Sequence, residues 1–443
     1  MRLQWQNFVS SAQPDRVMHD LDYLHGFGNH LQSEAQAGAL PVGQNSPQRC
    51  PLGLYAELFS AAAFTAPRDS NRRTWLYRRL PSVRAGAYQP YAQPHWRSGS
   101  AQGEVAPPEP HRWAPLPPQG GDFVDSLRTY AVNGDPDAQC GMAAHLYSAD
   151  RSMGDRALVN ADGEMLIVPQ QGRLLIRTEL GRMVAAPGEI ALVPRGMAFA
   201  VDVEGPSRGY VCENHGAPFR LPELGPIGSN GLAEPRHFLV PQAHAEPDRP
   251  TELIKRQHGR LWRSHQAHTP FNVVAWAGNA TPCKYDTARF MVINTVSFDH
   301  ADPSIFTVLT SPTDTPGWAN VDFVIFPPRW MVAESTFRPP WYHRNTMSEF
   351  MGLVTGQYDA KPEGFKPGGA SLHNAYVPHG PDAEAFAAAS KATLAPHKLD
   401  NTLAFMFETR WPLRPTAFAL QTPGLREAGY ADCWAHLADQ TQA

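Results

Sequence analysis

The chain has 443 residues, enough for two or three domains with a large buried core. Its 38 Lys and Arg residues nearly balance 42 Asp and Glu residues, so the formal charge of −4 argues against a dedicated nucleic-acid or anionic-membrane surface. With 43 Pro, 35 Gly and 42% hydrophobic residues, the composition is typical of a loop-rich globular protein.

The cysteines and the first residues predict a cytoplasmic protein. Five cysteines are present, widely spaced and without a Cys-x-x-Cys pair, so neither a disulfide framework nor a zinc–thiolate cluster is expected. The first 30 residues contain three Asp and no apolar run, which indicates no secretory signal. No apolar stretch approaches the roughly 18 residues that a membrane span needs, so we expect no membrane partner.

Residues 1–120 are rich in Gly, Pro, Asn and Gln and show little periodicity. Leu, Tyr, Phe and Trp are scattered through this region, so we expect ordered arms that wrap a core or a neighbouring subunit rather than a disordered segment. The clearest linker-like breaks are at 118–122 and 245–251.

Short apolar segments separated by Gly and Pro turns follow. In the first half they predict strands at 164–169, 173–178, 190–193 and 197–203. In the second half the same pattern predicts strands at 290–294, 305–309, 321–326, 350–354 and 403–408, the last of them before a polar tail. An Ala-rich helix is predicted at 383–394. Short strands about every ten residues are typical of an antiparallel sandwich or barrel.

Both halves resemble cupins, a family of small β-barrels. In the second half His343, Asn345, Glu349 and Gly356 match the spacing of the first cupin motif, with Asn345 where a second His would stand. In the first half, residues 194–199 resemble the second motif, but Phe199 stands where a ligand His would be. The resemblance therefore implies one barrel without a metal and one that keeps it.

We accordingly predict a mainly β fold with two cupin-like antiparallel β-barrel or sandwich domains, a loop-rich N-terminal arm and few helices. The predicted division is a metal-free half at 1–285 and a catalytic half at 286–443.

The histidines of the final third are the candidate metal ligands: His300, His343, His373, His379 and His397. Fe(II) favours two neutral imidazoles and one carboxylate on one face of an octahedron, with positions left for substrate and O2. Here His343 and Glu349 flank a short loop, and turns at 368–369 and 378–381 can orient a third ligand. Cupin spacing alone favours His373 as that ligand. The alternative is that these residues are hydrogen-bonded polar side chains in turns.

Longer strings carry a more specific resemblance. FRPPWYHRNTMSEFMG at 337–352, PGGASLH at 367–373 and PHGPD at 378–382 closely resemble the homogentisate 1,2-dioxygenase family. So do YLHGFGNHLQSEA at 23–35, GQNSPQ at 43–48 and FDHADPS at 298–304. The resemblance implies an Fe(II) enzyme that opens the ring of homogentisate with O2 to give 4-maleylacetoacetate, in tyrosine and phenylalanine breakdown.

Residue by residue, the resemblance implies iron ligands at His343, Glu349 and His379, with His300 as the catalytic acid/base. An imidazole suits that role because it titrates near neutral pH. Without the resemblance, pairing of His300 with a neighbouring Asp in a turn is the favoured interpretation.

On the substrate side, the resemblance implies a contact from Tyr358, with His379 beside the substrate and His373 as an active-site neighbour. The substrate carboxylate needs a cation or several donors, and Arg344 and Arg329 both stay open as candidates.

The resemblance also implies a homohexamer of two stacked trimers. Two other functions stay open. One is a related iron dioxygenase for gentisate or another hydroquinone acid, and the other is a non-catalytic cupin-type binding protein.

Overall fold

The computed structural model of the chain describes residues 21–225, 233–292, 294, 297, 306–358, 364–439 and 441. Within these ranges short strands dominate and helices are few, which confirms the predicted mainly β fold. None of the helices in the described ranges has the length and apolar character needed to cross a bilayer.

The strands before residue 290 are, in chain order, β1 (Tyr23–His25), β2 (Leu31–Glu34), β3 (Tyr55–Ser60), β4 (Arg73–Arg78), β5 (Gln89–Tyr91), β6 (His111–Trp113), β7 (Arg128–Val132), β8 (Met142–Ala149), β9 (Arg156–Asn160), β10 (Glu164–Gln171), β11 (Leu174–Thr178), β12 (Gly181–Ala185), β13 (Glu189–Val193), β14 (Ala198–Val203), β15 (Ser207–Asn214), β16 (Phe238–Pro241), β17 (Thr251–Gln257), β18 (Arg260–Gln266), β19 (Val273–Gly278) and β20 (Cys283–Asp286). The later strands are β21 (Thr307–Pro312), β22 (Ala319–Phe326), β23 (Arg329–Met331), β24 (Ser348–Thr355), β25 (Ala370–His373), β26 (His397–Leu399), β27 (Leu403–Thr409) and β28 (Arg414–Pro415).

The α-helices of the described ranges are α1 (Phe123–Ser126), α2 (Ala383–Lys391) and α3 (Ala417–Gln421). Short 3-10 helices lie at Pro51–Gly53, Ser100–Gln102, Pro235–His237, Thr287–Arg289 and Tyr430–Trp434.

The described strands form five sheets. The first half contributes a nine-stranded sheet in the order β1-β16-β20-β13-β10-β15-β8-β7-β28 and a seven-stranded sheet in the order β12-β11-β14-β9-β17-β18-β5. Three strands of the N-terminal arm join β19 in a four-stranded sheet, β2-β19-β4-β3. The second half is a six-stranded sheet, β21-β22-β27-β24-β25-β6, with a separate β23-β26 pair.

Alternation and turn chemistry explain these elements. In β18, for example, buried and more exposed positions largely alternate, as one apolar face of a strand requires. Between β10 and β11 the chain turns at Gly172, whose φ is 75°, and a Cβ there would lie 2.2 Å from the Ser207 side chain. Glycine is therefore required at this turn.

The two halves exchange strands and share one core. Strand β6 comes from the first half but pairs with β25 in the six-stranded sheet, whereas β28 comes from the C-terminal region and pairs with β7. A single apolar cluster runs through both halves, including Leu166 of β10 and Phe407 of β27. The C-terminal sheet is consequently held against the first half by backbone pairing as well as by apolar burial.

Two local predictions were wrong, and one predicted helix is present but three residues shorter than expected. No strand occurs at the described residues within 290–294, and the chain just before them forms the 3-10 helix Thr287–Arg289. The predicted helix at 383–394 ends at Lys391, because Thr393 and Pro396 disfavour a further turn. Strand β27 is not the last, since β28 and α3 follow, and the supposed polar tail buries Tyr430.

Candidate metal centre

Glu349 stands near the start of β24, facing the interior of the C-terminal sheet. Its side chain is buried, and its strand is paired with β25 on one side and β27 on the other. The register places His373 opposite Glu349 on β25 and Glu408 opposite it on β27. Directly paired residues of antiparallel strands share a face, so these three side chains form a row across the sheet.

His343 and His379 are brought together by an isolated β-bridge outside the main sheet. The His343 N–H donates to the His379 carbonyl at 2.9 Å, and the His379 N–H donates back to the His343 carbonyl at 3.1 Å. Their imidazole centroids lie 4.2 Å apart. This bridge connects the segment before β24 with the segment after β25, and so places both rings beside Glu349.

The three side chains converge on one point. His379 Nε2 lies 2.9 Å from Glu349 Oε2, and His343 Nε2 lies 3.7 Å from Glu349 Oε1. One nitrogen or oxygen from each residue lies within 4.8 Å of the others, and no other group of His, Cys, Asp or Glu in the described part of the chain meets this criterion. Glu349 and His379 are buried, whereas the His343 side chain is 40% exposed. The cluster is therefore open on one side.

Backbone carbonyls fix the tautomers of both histidines. His343 Nδ1 lies 2.7 Å from the Trp341 carbonyl oxygen, and His379 Nδ1 lies 3.0 Å from that of Val377. A carbonyl oxygen can only accept, so each Nδ1 carries the hydrogen and each Nε2 is directed at Glu349. A neutral Nε2 and a carboxylate are both acceptors, so the short His379–Glu349 contact requires a proton or a cation between them. This donor set fits a divalent metal ion.

The electrostatics of the cluster favour an ionised carboxylate. Burial raises the pKa of Glu349, but the adjacent side chains of His343 and His379 outweigh burial and bring the pKa well below its ordinary range. The neighbouring carboxylate of Glu349 is the largest cause that raises the pKa of His343. The site thus holds a buried negative charge that a cation can neutralise.

Two further carboxyl groups extend the row behind Glu349. Asp322 of β22 pairs with Glu408 of β27. Desolvation, and then the neighbouring Glu349, raise the pKa of Glu408 to about 8. Desolvation also raises the pKa of Asp322 to about 6. The Asn345 amide donates to both Glu349 Oε1, at 2.9 Å, and Glu408 Oε1. Asn345 thereby connects the candidate metal ligand to the carboxyl behind it.

The structure separates the two candidates for the third ligand. His379 joins His343 and Glu349, whereas His373 lies outside that group and forms a hydrogen bond of 2.8 Å with the Tyr430 hydroxyl. The His373 ring stacks flat on the His379 ring, with centroids 4.0 Å apart and an interplanar angle of 6°. The structure thus brings His379, and not His373, beside His343 and Glu349, and the assignment of the metal ligands stays a prediction.

The other predicted site residues have varied positions. Tyr358 is buried, with its ring 5.7 Å from that of Phe326. His300, the predicted acid/base, lies outside the described residues. Of the two candidate cations for the substrate carboxylate, Arg329 is buried and donates to the Pro327 carbonyl, whereas Arg344 is exposed.

Two residues near the centre were missed in the sequence. A Glu within the apolar run of β27 was a usable signal for Glu408, because a charge inside a buried strand needs a reason. Tyr430 gave no signal, since it lies 57 residues beyond its partner His373 in a segment without periodicity.

Comparisons with known proteins agree along the whole described chain. The family described as Homogentisate 1,2-dioxygenase N-terminal matches residues 22–287, and the one described as Homogentisate 1,2-dioxygenase C-terminal matches residues 288–441. A homogentisate 1,2-dioxygenase from Pseudomonas fluorescens is 57% identical over 421 residues, covering 94% of this chain and 96% of the relative. One from Pseudomonas putida is 57% identical over 423 residues, with the same two coverages.

Among solved structures, a cupin 2 conserved barrel domain protein from Leptotrichia buccalis is 8% identical and covers 70% of this chain and 99% of its own, with a TM-score of 0.31. That likeness is too weak to carry functional weight. The matches of both family halves and the 57% identity carry the assignment. This chain belongs to the homogentisate 1,2-dioxygenase family.

Proposed function

We propose that the chain opens the aromatic ring of homogentisate with O2, giving 4-maleylacetoacetate in the breakdown of tyrosine and phenylalanine, with Fe(II) as cofactor. The observation that carries the proposal is the convergence of His343, Glu349 and His379 on one point in a chain of this family. Fe(II), when bound, supplies a redox-active Lewis-acidic centre with positions left open for both reactants.

The chain's own residues prepare this site. The carbonyls of Trp341 and Val377 hold the two imidazoles in the tautomer that offers Nε2. Glu349 contributes the single negative charge, so a divalent ion held by the three side chains keeps a net positive charge that favours an anionic phenolate. The exposed side of His343 supplies a route of entry for a small aromatic molecule.

The substrate-side roles are part of the same proposal. His300 takes a phenol proton as acid/base, Tyr358 donates a hydrogen bond to the substrate, and His379 and His373 lie beside it. The burial of Tyr358 and His373 is consistent with a site that excludes water around the reacting ring.

We also propose that catalysis resides in the half at 286–443 and that the half at 1–285 holds no metal. The junction of the two family matches between residues 287 and 288 supports this division. The proposed assembly is a homohexamer of two trimers, and light scattering on the purified chain measures its mass.

The test combines metal content, O2 uptake and substrate choice. Protein stripped of metal is reconstituted with Fe(II) without air, and O2 uptake is then recorded with homogentisate and with gentisate. We expect activity with homogentisate only after Fe(II) is added. His343→Ala is expected to lose both iron and O2 uptake, whereas the control His265→Ala, a surface histidine of β18 with a 73% exposed side chain, keeps both.

Three results contradict the proposal. Full activity of iron-free His343→Ala protein removes the metal from the mechanism. Faster turnover of gentisate than of homogentisate indicates that gentisate, or a related hydroquinone acid, is the substrate. A wild-type protein that binds no Fe(II) and consumes no O2 favours a non-catalytic binding protein.

A further inference from the structure

Tyr430 is a buried residue of the C-terminal 3-10 helix whose hydroxyl reaches the candidate metal centre. Its side chain is 2% exposed, and a hydrogen bond of 2.8 Å joins its hydroxyl to His373 Nε2. Burial is the largest cause that raises the pKa of Tyr430 above its ordinary range, so the hydroxyl keeps its proton. A hydroxyl at this position is a fixed partner for the imidazole.

Residues from two distant parts of the chain hold the Tyr430 ring in place. The Arg112 guanidinium of β6 lies over the ring, 4.5 Å from its centroid, and forms an ion pair of 2.5 Å with Glu427. At the other end of the same 3-10 helix, the Trp434 indole N–H donates to the Pro381 carbonyl at 2.9 Å. Pro381 follows His379 closely, so this contact anchors the helix beside the metal cluster.

The hydrogen bond continues into a ring stack. His373, fixed at Nε2 by Tyr430, lies flat against His379 with centroids 4.0 Å apart. His379 in turn directs Nε2 at Glu349, 2.9 Å away. A rotation of the His373 ring would break the parallel stack and open space into which the His379 ring can tilt.

We propose that Tyr430 is a positioning residue for the metal centre: through His373 it holds the His379 ring at the angle that directs Nε2 toward Glu349. The inference rests on the proposed function, since it takes the His343–Glu349–His379 cluster to be the metal site. Groups that orient metal-binding histidines from outside the ligand set commonly contribute about 10- to 100-fold to metal affinity. Tyr430 acts through one intervening ring, so we expect its contribution to metal affinity to lie at the low end of this range.

The experiment measures metal binding and needs no turnover. Full-length wild-type, Tyr430→Phe and Tyr210→Phe proteins are stripped of metal and titrated with Fe(II) without air, against a competing chelator. The visible bands of bound Co(II) provide a second readout, because they report ligand geometry. Tyr430→Phe removes only the hydroxyl and keeps the ring beneath Arg112.

Tyr210→Phe is the matched control. Its hydroxyl is equally buried and donates to the carbonyls of Leu353 and Gly369, at 3.1 and 2.7 Å, so both of these hydrogen bonds go to backbone rather than to a histidine. We expect Tyr430→Phe to bind Fe(II) about tenfold more weakly with altered Co(II) bands. Tyr210→Phe is expected to lower the unfolding temperature and leave the metal affinity unchanged.

A double variant tests the route through His373. His373→Phe retains a flat ring against His379 but cannot bond to Tyr430, so it is expected to resemble Tyr430→Phe. Adding Tyr430→Phe to His373→Phe is then expected to cause no further loss, because the two residues act in series. If Tyr430→Phe folds too poorly to purify, the weaker Fe(II) binding and shifted Co(II) bands of His373→Phe carry the test.

The inference is overturned if Tyr430→Phe binds Fe(II) as tightly as wild type, or if Tyr210→Phe loses the same affinity. Additive losses in the double variant overturn it as well, since Tyr430 would then act by another route. Wild-type protein that binds Fe(II) at this cluster but leaves homogentisate unchanged contradicts the proposed function alone.

Discussion

Glu164 supplies a pH-dependent contribution to stability that can be isolated by one substitution. Its carboxyl is buried at the start of β10, and Oε2 accepts a hydrogen bond of 2.7 Å from the Phe219 N–H. Desolvation raises the pKa of Glu164 from 4.5 to about 7, against the smaller opposing effects of that N–H, Arg72, Arg195 and Asn214.

The sign and size follow from linkage. Below pH 4.5 the carboxyl is protonated in the folded and unfolded states, so it contributes nothing that depends on pH. Between pH 4.5 and about 7 only the unfolded state ionises, and stability falls as pH rises. The free energy of unfolding falls by about 1.4 kcal/mol for each pH unit in this interval. The total loss reaches about 3 kcal/mol and stays constant above pH 7.

Glu164→Gln keeps an oxygen for the Phe219 N–H but cannot ionise. We expect this variant to be stabilised relative to wild type by about 2.5 kcal/mol more at pH 8 than at pH 5, because a small part of the loss has already occurred at pH 5. Urea unfolding followed by Trp fluorescence at both pH values measures the difference, with the exposed Glu204→Gln as control. An equal offset between Glu164→Gln and wild type at the two pH values would refute the reasoning.

Three further predictions concern packing and the metal. Arg78→Ala leaves the buried Glu179 without its 2.9 Å ion pair, and urea unfolding should show a loss of about 3–5 kcal/mol. Gly356→Ala places a Cβ 1.9 Å from the Asn401 carbonyl oxygen at a φ of 76°, so its urea midpoint should fall well below that of Gly38→Ala, where φ is 80° and the space is open. Chelation of iron should lower stability by about 2.7 kcal/mol relative to protein at a free Fe(II) concentration one hundred times its Kd, measured by calorimetry with and without metal. An unchanged unfolding temperature on chelation would argue against a bound ion.

Local pattern determined much of the fold. Short apolar runs between Gly and Pro turns predicted strands close to β10, β22, β24 and β27, because the side-chain period of a strand is visible in a few residues. The same pattern failed at 290–294, where an apolar run forms no strand at the described residues. Of the described residues in this run only Phe290 is buried, and Met291 is 48% exposed, so the run does not supply the buried face that a core strand has.

The candidate site also has a part that the sequence predicted and a part that only the tertiary structure shows. The spacing of His343 and Glu349, together with long family-like strings, was sufficient to indicate a metal centre in the second half, and the metal roles themselves stay a prediction. The choice between His373 and His379 needed the tertiary structure, because the β-bridge brings His379 to Glu349 while the β24–β25 register sets His373 behind it. Sequence alone also placed nothing from the C-terminal segment near the site. Tyr430 reaches His373 only because β6 and the tail fold back on the C-terminal sheet, and contacts between such distant segments leave no local period to detect.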